Sequence, residues 1–272
     1  MEREIVIGVD GSAHAAAALR WGVQEARLRG VGARAVLVTA DPAALAVRDG
    51  DDPGSSEAAQ WLERWAEEAL GAEHDVALQV AYGDPARELV EAGDAGDLLV
   101  LGARGSGGFE ALLVGSVSEE VVTDADGPVV VVRDAAPVDG GRVVVGVDGS
   151  RLGHRALLWA ATEARTRGAV LDVVHAWQVP LAAASPWVVT PPDFDDEARE
   201  VLDQAMAEPL LEGLHVTTHL HRGTATEALL ERATGAGLVV VGSRGLGRVR
   251  GFLVGSVTRQ LLHHAPCPLA VV

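Results

Sequence analysis

At 272 residues the chain is long enough for one large domain or two of ordinary size, and its 48% hydrophobic and 22% charged residues make a globular mixture. A formal net charge of −17 argues against an electrostatic grip on DNA, RNA or anionic lipid, although backbone amides and helix ends still bind anions locally. All 22 basic residues are arginine, which excludes a GxxxxGK[ST] phosphate loop and Schiff-base chemistry on lysine.

The N-terminus, MEREIVIGVD, carries no long apolar leader and enters a strand, EIVIGV, almost at once. No run approaches the roughly 18 apolar residues of a membrane span, so we expect a soluble, cytoplasmic, reducing setting. Ala13–Arg29 is predicted helical, with Leu19, Trp21 and Ala26 among its apolar positions. ARAVLVT is the second strand. The segment SEAAQWLERWAEEAL repeats Ala58, Trp61, Leu62, Trp65 and Leu70 at helical spacing. DVALQVA, a short helix from Pro85, DLLVLG, a helix from Ser116 and PVVVV complete the first half.

The second half repeats the first. Ile5–Gly30 and Val143–Gly168 share 14 identities in 26 positions at an offset of 138, and later segments match at an offset of 140. Two domains follow, residues 1–134 and 142–272, with 135–141 as a linker inside the Pro- and Gly-containing join RDAAPVDGG. Uniformly aliphatic strands separated by helices indicate a parallel sheet covered on both faces. The expected fold class is α/β: two tandem doubly wound domains, each a five-stranded parallel sheet. By analogy with such folds the strand order is 3-2-1-4-5. The connections Asp41–Ser55 and Gln178–Asp195 are long and unlike one another, as surface loops or lids are.

Ligands of doubly wound sheets bind beyond the carboxyl ends of the strands, where the order reverses. Two loops meet there if the first and fourth strands are neighbours. One is VDGS, Asp10-Gly11-Ser12 and Asp148-Gly149-Ser150. The other is glycine-rich: Gly102, Arg104, Gly105 and then Gly115-Ser116-Val117, repeated as Gly242, Arg244, Gly245 and Gly255-Ser256-Val257. Its glycines serve either close approach to a phosphate or a positive φ. Two amide clusters facing one cleft suit a nucleoside triphosphate better than a single phosphate. Structural alternatives stand beside this reading: Ser116-Val117-Ser118-Glu119 also spells a capping box, and Asp10 or Ser12 also caps a helix. A carboxylate beside phosphates makes sense chiefly with Mg²⁺ between them, which singles out Asp10 and Asp148 as metal contacts. The pattern is not the dinucleotide fingerprint, because GxxGxG here follows the fourth strand.

With VDGS, G-x₂-G-x₉-G-S in both halves, and the closing CPLAVV at Cys267–Val272, the chain resembles the universal stress protein family over essentially its whole length. The resemblance implies a Rossmann-like fold and ATP on the glycine-rich loop, with the aspartate near the nucleotide or its metal. It also implies backbone at Ala40 and Ala176 meeting the adenine. Pairing of last strands, PVVVV with PLAVV, would make an intrachain pseudo-dimer, and a homodimer is a further option. Gly108 and Glu110 of the first loop become Arg248 and Arg250 in the second, which favours phosphate at the C-terminal site.

Other candidates weigh less. His215, His219 and His221 share parity on HVTTHLH, but nothing completes a zinc set, and an edge strand with solvent-facing polar residues explains them. His263 and His264 suit a helix C-terminus, Cys267 a small buried hydrophobe, and Trp61 with Trp65 a helix's core face. No GxSxG, HExxH or catalytic triad stands out. The expectation is an ATP-binding regulatory or stress-response protein whose occupancy switches conformation or the binding of a protein partner. The alternatives are slow Mg²⁺-dependent ATP hydrolysis on the same site, or a partner-binding scaffold without nucleotide.

Overall fold

Each aliphatic run forms a strand and each stretch of 3.6-residue periodicity a helix. The computed structural model describes residues 4–40, 56–93, 98–105, 113–133, 141–178, 194–245 and 254–272. The chain divides into two compact units, Met1–Val138 and Asp139–Val272. The long connections at 41–55 and 179–193 lie outside the described residues, and the second gives way to a helix already at Phe194.

In the first unit the elements run β1 (Glu4–Val9), α1 (Ala13–Arg29), β2 (Gly32–Thr39), α2 (Glu57–Leu70), β3 (Ala77–Tyr82), α3 (Pro85–Ala92), β4 (Leu98–Gly102), α4 (Ser116–Asp124) and β5 (Val129–Val132). β1 pairs in parallel with both β2 and β4, β2 with β3, and β4 with β5. That is the order 3-2-1-4-5. The second unit repeats it with β6 (Arg142–Gly146), α5 (Arg151–Arg167), β7 (Val170–Trp177), α6 (Phe194–Met206), β8 (Val216–Arg222), α7 (Ala225–Ala233), β9 (Leu238–Val241), α8 (Ser256–His264) and β10 (Leu269–Val271). Here β6 lies between β7 and β9, with β8 and β10 outside them. Helices α1 and α2 pack together, as do α3 and α4, and right-handed crossovers put the two pairs on opposite faces.

The central strands are buried on both faces, which is why they read as continuous Val, Ile and Leu rather than as alternation. Leu19, Trp21 and Ala26 are buried against them as expected. In α2 the buried seam is Leu62 and Ala66, one residue round the helix from the expected tryptophan face. Trp61 is 37% exposed and stacks on Trp65 with ring centroids 6.0 Å apart. Its outer edge rests on Gly11, so the ring covers a loop instead of the core. Cys267 is buried, and desolvation pushes its thiol up to about 12.

Each sheet also holds a polar triad across its first three strands, and the two triads have opposite polarity. In the first unit Arg34 of β2 donates to Glu4 of β1 from Nε at 2.9 Å, and its guanidinium also meets Gln79 of β3. In the second the cation sits on the neighbouring strand: Arg142 of β6 lies 3.3 Å from Asp172 of β7, with His219 of β8 on the same carboxylate oxygen at 3.4 Å. The imidazole contact is electrostatic rather than an aligned hydrogen bond. Both guanidinium groups nonetheless donate to matching helix carbonyls, Arg34 to Ala92 at 2.9 Å and Arg142 to Arg232 at 3.4 Å. His219 therefore turns inward to Asp172, correcting the expectation that the histidines of this edge strand simply face water; His215, just before β8, is exposed. Among the described residues no group of three or more His, Cys, Asp or Glu side chains is placed to hold a metal ion.

Asp172 is 4% exposed, whereas Glu4 is 31% exposed. Arg142→Met should therefore cost about 2–3 kcal/mol by stranding a buried carboxylate. Glu4→Gln, in the wetter triad, should cost about 1 kcal/mol or less. Urea unfolding of the intact chain, followed by tryptophan fluorescence, measures both. A second expectation concerns the thiol: iodoacetamide at pH 8 should label Cys267 only after denaturation, because the folded state holds it neutral and covered.

Candidate functional site

The first loop is a rigid turn in both units. Asp10 Oδ1 accepts from the Ser12 amide at 3.0 Å, and Asp148 Oδ1 accepts from the Ser150 amide at the same distance. Ser12 and Ser150 are the N-caps of α1 and α5, accepting from Ala15 at 3.1 Å and Gly153 at 3.0 Å. Gly11 and Gly149 have φ of 84° and 77°, a left-handed conformation that a side chain would resist. The serine caps the helix, and the aspartate instead holds the turn with one carboxylate oxygen.

The other oxygen faces the glycine-rich loop. A Cβ at Gly105 would fall 2.5 Å from Asp10 Oδ2, and one at Gly245 would collide with Asp148 Oδ2. None of the six glycines of the two motifs has a positive φ, so close approach is what requires Gly102, Gly105, Gly242 and Gly245, while Gly115 and Gly255 have room for a Cβ. Gly102 and Gly242 serve packing: a Cβ at Gly102 would lie 2.7 Å from the carbonyl carbon of His14, and one at Gly242 2.9 Å from that of Leu152. In the first unit Ser12 Oγ donates across to the Arg104 carbonyl at 3.2 Å, tying one loop directly to the other.

Helices α4 and α8 start at the next glycine. Gly115 and Gly255 are their N-caps, and neither helix has a side-chain cap. The alternative capping box at Ser116 does not form, because the helix begins one residue earlier than that pattern requires. Ser118 and Thr258 face the strand, donating to the carbonyls of Gly102 at 2.8 Å and Gly242 at 2.9 Å. The loop's neck is closed by the Gly115 amide on Ala103 and the Gly255 amide on Ser243, each at 2.8 Å. What remains is a helix N-terminus that its N-cap residue does not close with a side chain.

In the C-terminal unit these parts surround a cavity of about 500 Å³. Asp148, Ala176, Gly242 and Arg244 line it, together with Gly245, Gly255, Ser256 and Val257. Gly149 and Ser150 stand behind it as the turn that aims Asp148. Arg248 lies outside the described residues, as do Gly108, Glu110 and Arg250. In the N-terminal unit Asp10, Gly11, Ser12, Gly102, Arg104, Gly105, Gly115, Ser116 and Val117 hold the matching positions.

Ala40 and Ala176 are not counterparts. Ala176 lies within β7 and its counterpart is Val38, since Gly83 donates to Thr39 and Gly223 to Trp177. Ala40 lies one residue beyond β2 and corresponds to Gln178. Sequence reasoning also passed over Gly153, Leu229, Thr258 and Arg259, all of which line the cavity. Arg259 was within reach: it sits three residues after Ser256 on α8, and residues three apart share a helix face. Leu229 was not, because it comes from α7 and only the tertiary fold brings it in.

A doubly wound parallel sheet present twice in one chain, with a ligand-sized cleft where the strand order reverses in the C-terminal unit, defines a tandem Rossmann-like α/β protein. The profile of the Universal stress protein family matches residues 1–133 and again 141–272. A universal stress protein of Mycolicibacterium smegmatis is 31% identical over 286 residues, spanning 100% of this chain and 97% of that one. The universal stress protein Rv2005c of Mycobacterium tuberculosis is 32% identical over 290 residues, with 98% and 96% covered. A universal stress protein crystal structure from Archaeoglobus fulgidus shares the fold at a TM-score of 0.66 and 22% identity, covering 98% of this chain and 97% of its own. The chain belongs to the universal stress protein family.

The glycines of the site should separate by role. Gly102→Ala should destabilise the protein by about 2 kcal/mol, since the Cβ meets backbone that cannot give way. Gly115→Ala, where the nearest atom is 3.6 Å away, should cost less than about 1 kcal/mol, the difference between glycine and alanine at an N-cap. Thermal or urea unfolding of the two variants checks the order.

Proposed function

We propose that this protein binds ATP, with Mg²⁺, in the C-terminal cleft and acts as a nucleotide-dependent regulatory protein of the stress response. The observation that carries this reading is the convergence, on one cavity of about 500 Å³, of the uncapped α8 N-terminus, the glycine-rich loop and the outward oxygen of Asp148. Free amides and a helix dipole at one end favour a phosphate chain. The remaining wall, with Val174, Ala176, Leu229 and Val241, is apolar and suits a base and sugar.

The residues present fit the metal-linked nucleotide. Mg²⁺ needs only one or two protein carboxylates when phosphates and water complete its shell, and Asp148 is the carboxylate on this wall. Its counterpart Asp10 would serve the N-terminal unit in the same way. When bound, the metal would neutralise phosphate charge; Asp148 would hold it, Arg244 would pair with phosphate oxygen, and Gly245 would keep side chains out of the way. Ala176 and its counterpart Val38 are proposed as backbone contacts at the base end of each site. In sequence the C-terminal motif also carries Arg248 and Arg250 where the N-terminal one has Gly108 and Glu110. The C-terminal site is therefore the tighter of the two.

Isothermal titration of the purified chain with ATP, with and without Mg²⁺, tests the proposal. Saturable binding is expected, and Asp148→Asn should remove most of the Mg²⁺-dependent gain, about tenfold or more if one metal contact is lost. Gly245→Val should weaken binding more than Gly105→Val. Steady release of phosphate under the same conditions would make the protein a slow hydrolase. Failure of the wild-type chain to bind nucleotide would leave the scaffold reading.

A further inference from the structure

The two units can be compared position by position, because the offset between them is 138 through the first two strands and 140 from the third strand on. Of the 18 residues lining the C-terminal cavity, 12 have the identical residue at the matching position of the N-terminal unit. Five more exchange one small, apolar or hydroxyl residue for another, as Thr258 for Ser118 and Ala176 for Val38. One position reverses charge. Arg259 is matched by Glu119.

Both are the fourth residue of their helices, α8 from Ser256 and α4 from Ser116, and both helices have a glycine N-cap without a side-chain cap. They therefore stand at the same helical phase, one turn inside the amide cluster. The other charged lining residues, Arg244 and Asp148, are repeated as Arg104 and Asp10. Arg244 and Arg259 against Asp148 leave a formal +1; Arg104 against Asp10 and Glu119 leaves −1. The helix dipole attracts an anion in both units, so it does not distinguish them. The fourth helix residue does.

We infer that this position sets how many phosphates each unit accepts. Resting on the nucleotide reading, the inference assigns the C-terminal cleft to a nucleoside di- or triphosphate and makes Arg259 the contact for its outer phosphates. The N-terminal unit, with Glu119 in that place, accepts a monophosphate or an uncharged nucleoside at least as well as a triphosphate. A carboxylate repels the outer phosphates while leaving the first, at the amides, in place. The tandem chain then carries two sites of different phosphate preference.

The test is calorimetric titration of the intact chain with AMP and with ATP in the presence of Mg²⁺, comparing wild type with Arg259→Glu, Arg259→Gln, Arg259→Lys and Glu119→Arg. Circular dichroism and thermal midpoints verify folding, and Arg259→Gln replaces Arg259→Glu should the reversed charge unfold α8. Losing a charge-assisted hydrogen bond should lower ATP affinity of the tighter site about ten- to a hundredfold. AMP affinity should change less than about threefold, and Arg259→Lys should keep most of the ATP affinity. Glu119→Arg should strengthen ATP at the weaker site without strengthening AMP comparably. Equal loss of AMP and ATP in Arg259→Glu, or no change in either, overturns this inference alone. A wild-type chain that binds neither nucleotide overturns the nucleotide reading and this one with it.

Discussion

A carboxylate at the end of the first strand and a backbone loop at the end of the fourth share one corner of each unit only because the loop residue facing that carboxylate has no side chain. At Gly105 and Gly245 even a methyl group would overlap the aspartate oxygen. The strand order brings the two loops together, the absent side chain lets them touch, and the helix that follows starts at a glycine with no side-chain cap. Every other feature of the cleft depends on that contact. The serine cap frees Asp10 and Asp148 from capping duty, and the hydroxyls of Ser118 and Thr258 fix α4 and α8 to the strand end. The anion-favouring end of the helix is thus held at a set distance from a carboxylate. That arrangement suits a phosphate with a cation between.

The fold was legible because burial on both faces removes alternation from the strands, leaving VVVV or LLVLG as unbroken signals between helical stretches. The glycine spacing was legible for the same local reason: turns and caps are specified by neighbours in sequence. What lies across the fold was not. Asp172 reads as one acid in an apolar run, and only the fold shows Arg142 and His219, each two residues from Asp172's register partners Val144 and Thr217, reaching it from the flanking strands. Trp61 reads as core by periodicity, yet Leu62 and Ala66 take the seam and the indole rests on Gly11. Its position near Gly149 in the second unit is held by Val201, so the turn is supported there by a smaller side chain. Gly102 and Gly105 looked alike in the motif, but one accommodates backbone and the other a carboxylate.

The two copies differ most instructively in the polar triads of their sheets. In one, acid and base lie on β1 and β2 as Glu4 and Arg34; in the other they lie on β6 and β7 as Arg142 and Asp172. A single substitution cannot convert one arrangement into the other without placing like charges on adjacent strands, which is unfavourable in a poorly solvated site. The same rule separates the copies from each other. Pairing β1 with β7 would set Glu4 beside Asp172, and pairing β6 with β2 would set Arg142 beside Arg34. Misassembly between similar repeats is a characteristic failure of tandem chains, and aliphatic strands this much alike offer little other discrimination. The opposed triads set like charges together in such mispairings, while the cleft above them keeps its lining nearly unchanged. Charge therefore distinguishes the two halves at two levels, in the sheet by polarity and at the helix end by Arg259 against Glu119, on a backbone that is otherwise repeated.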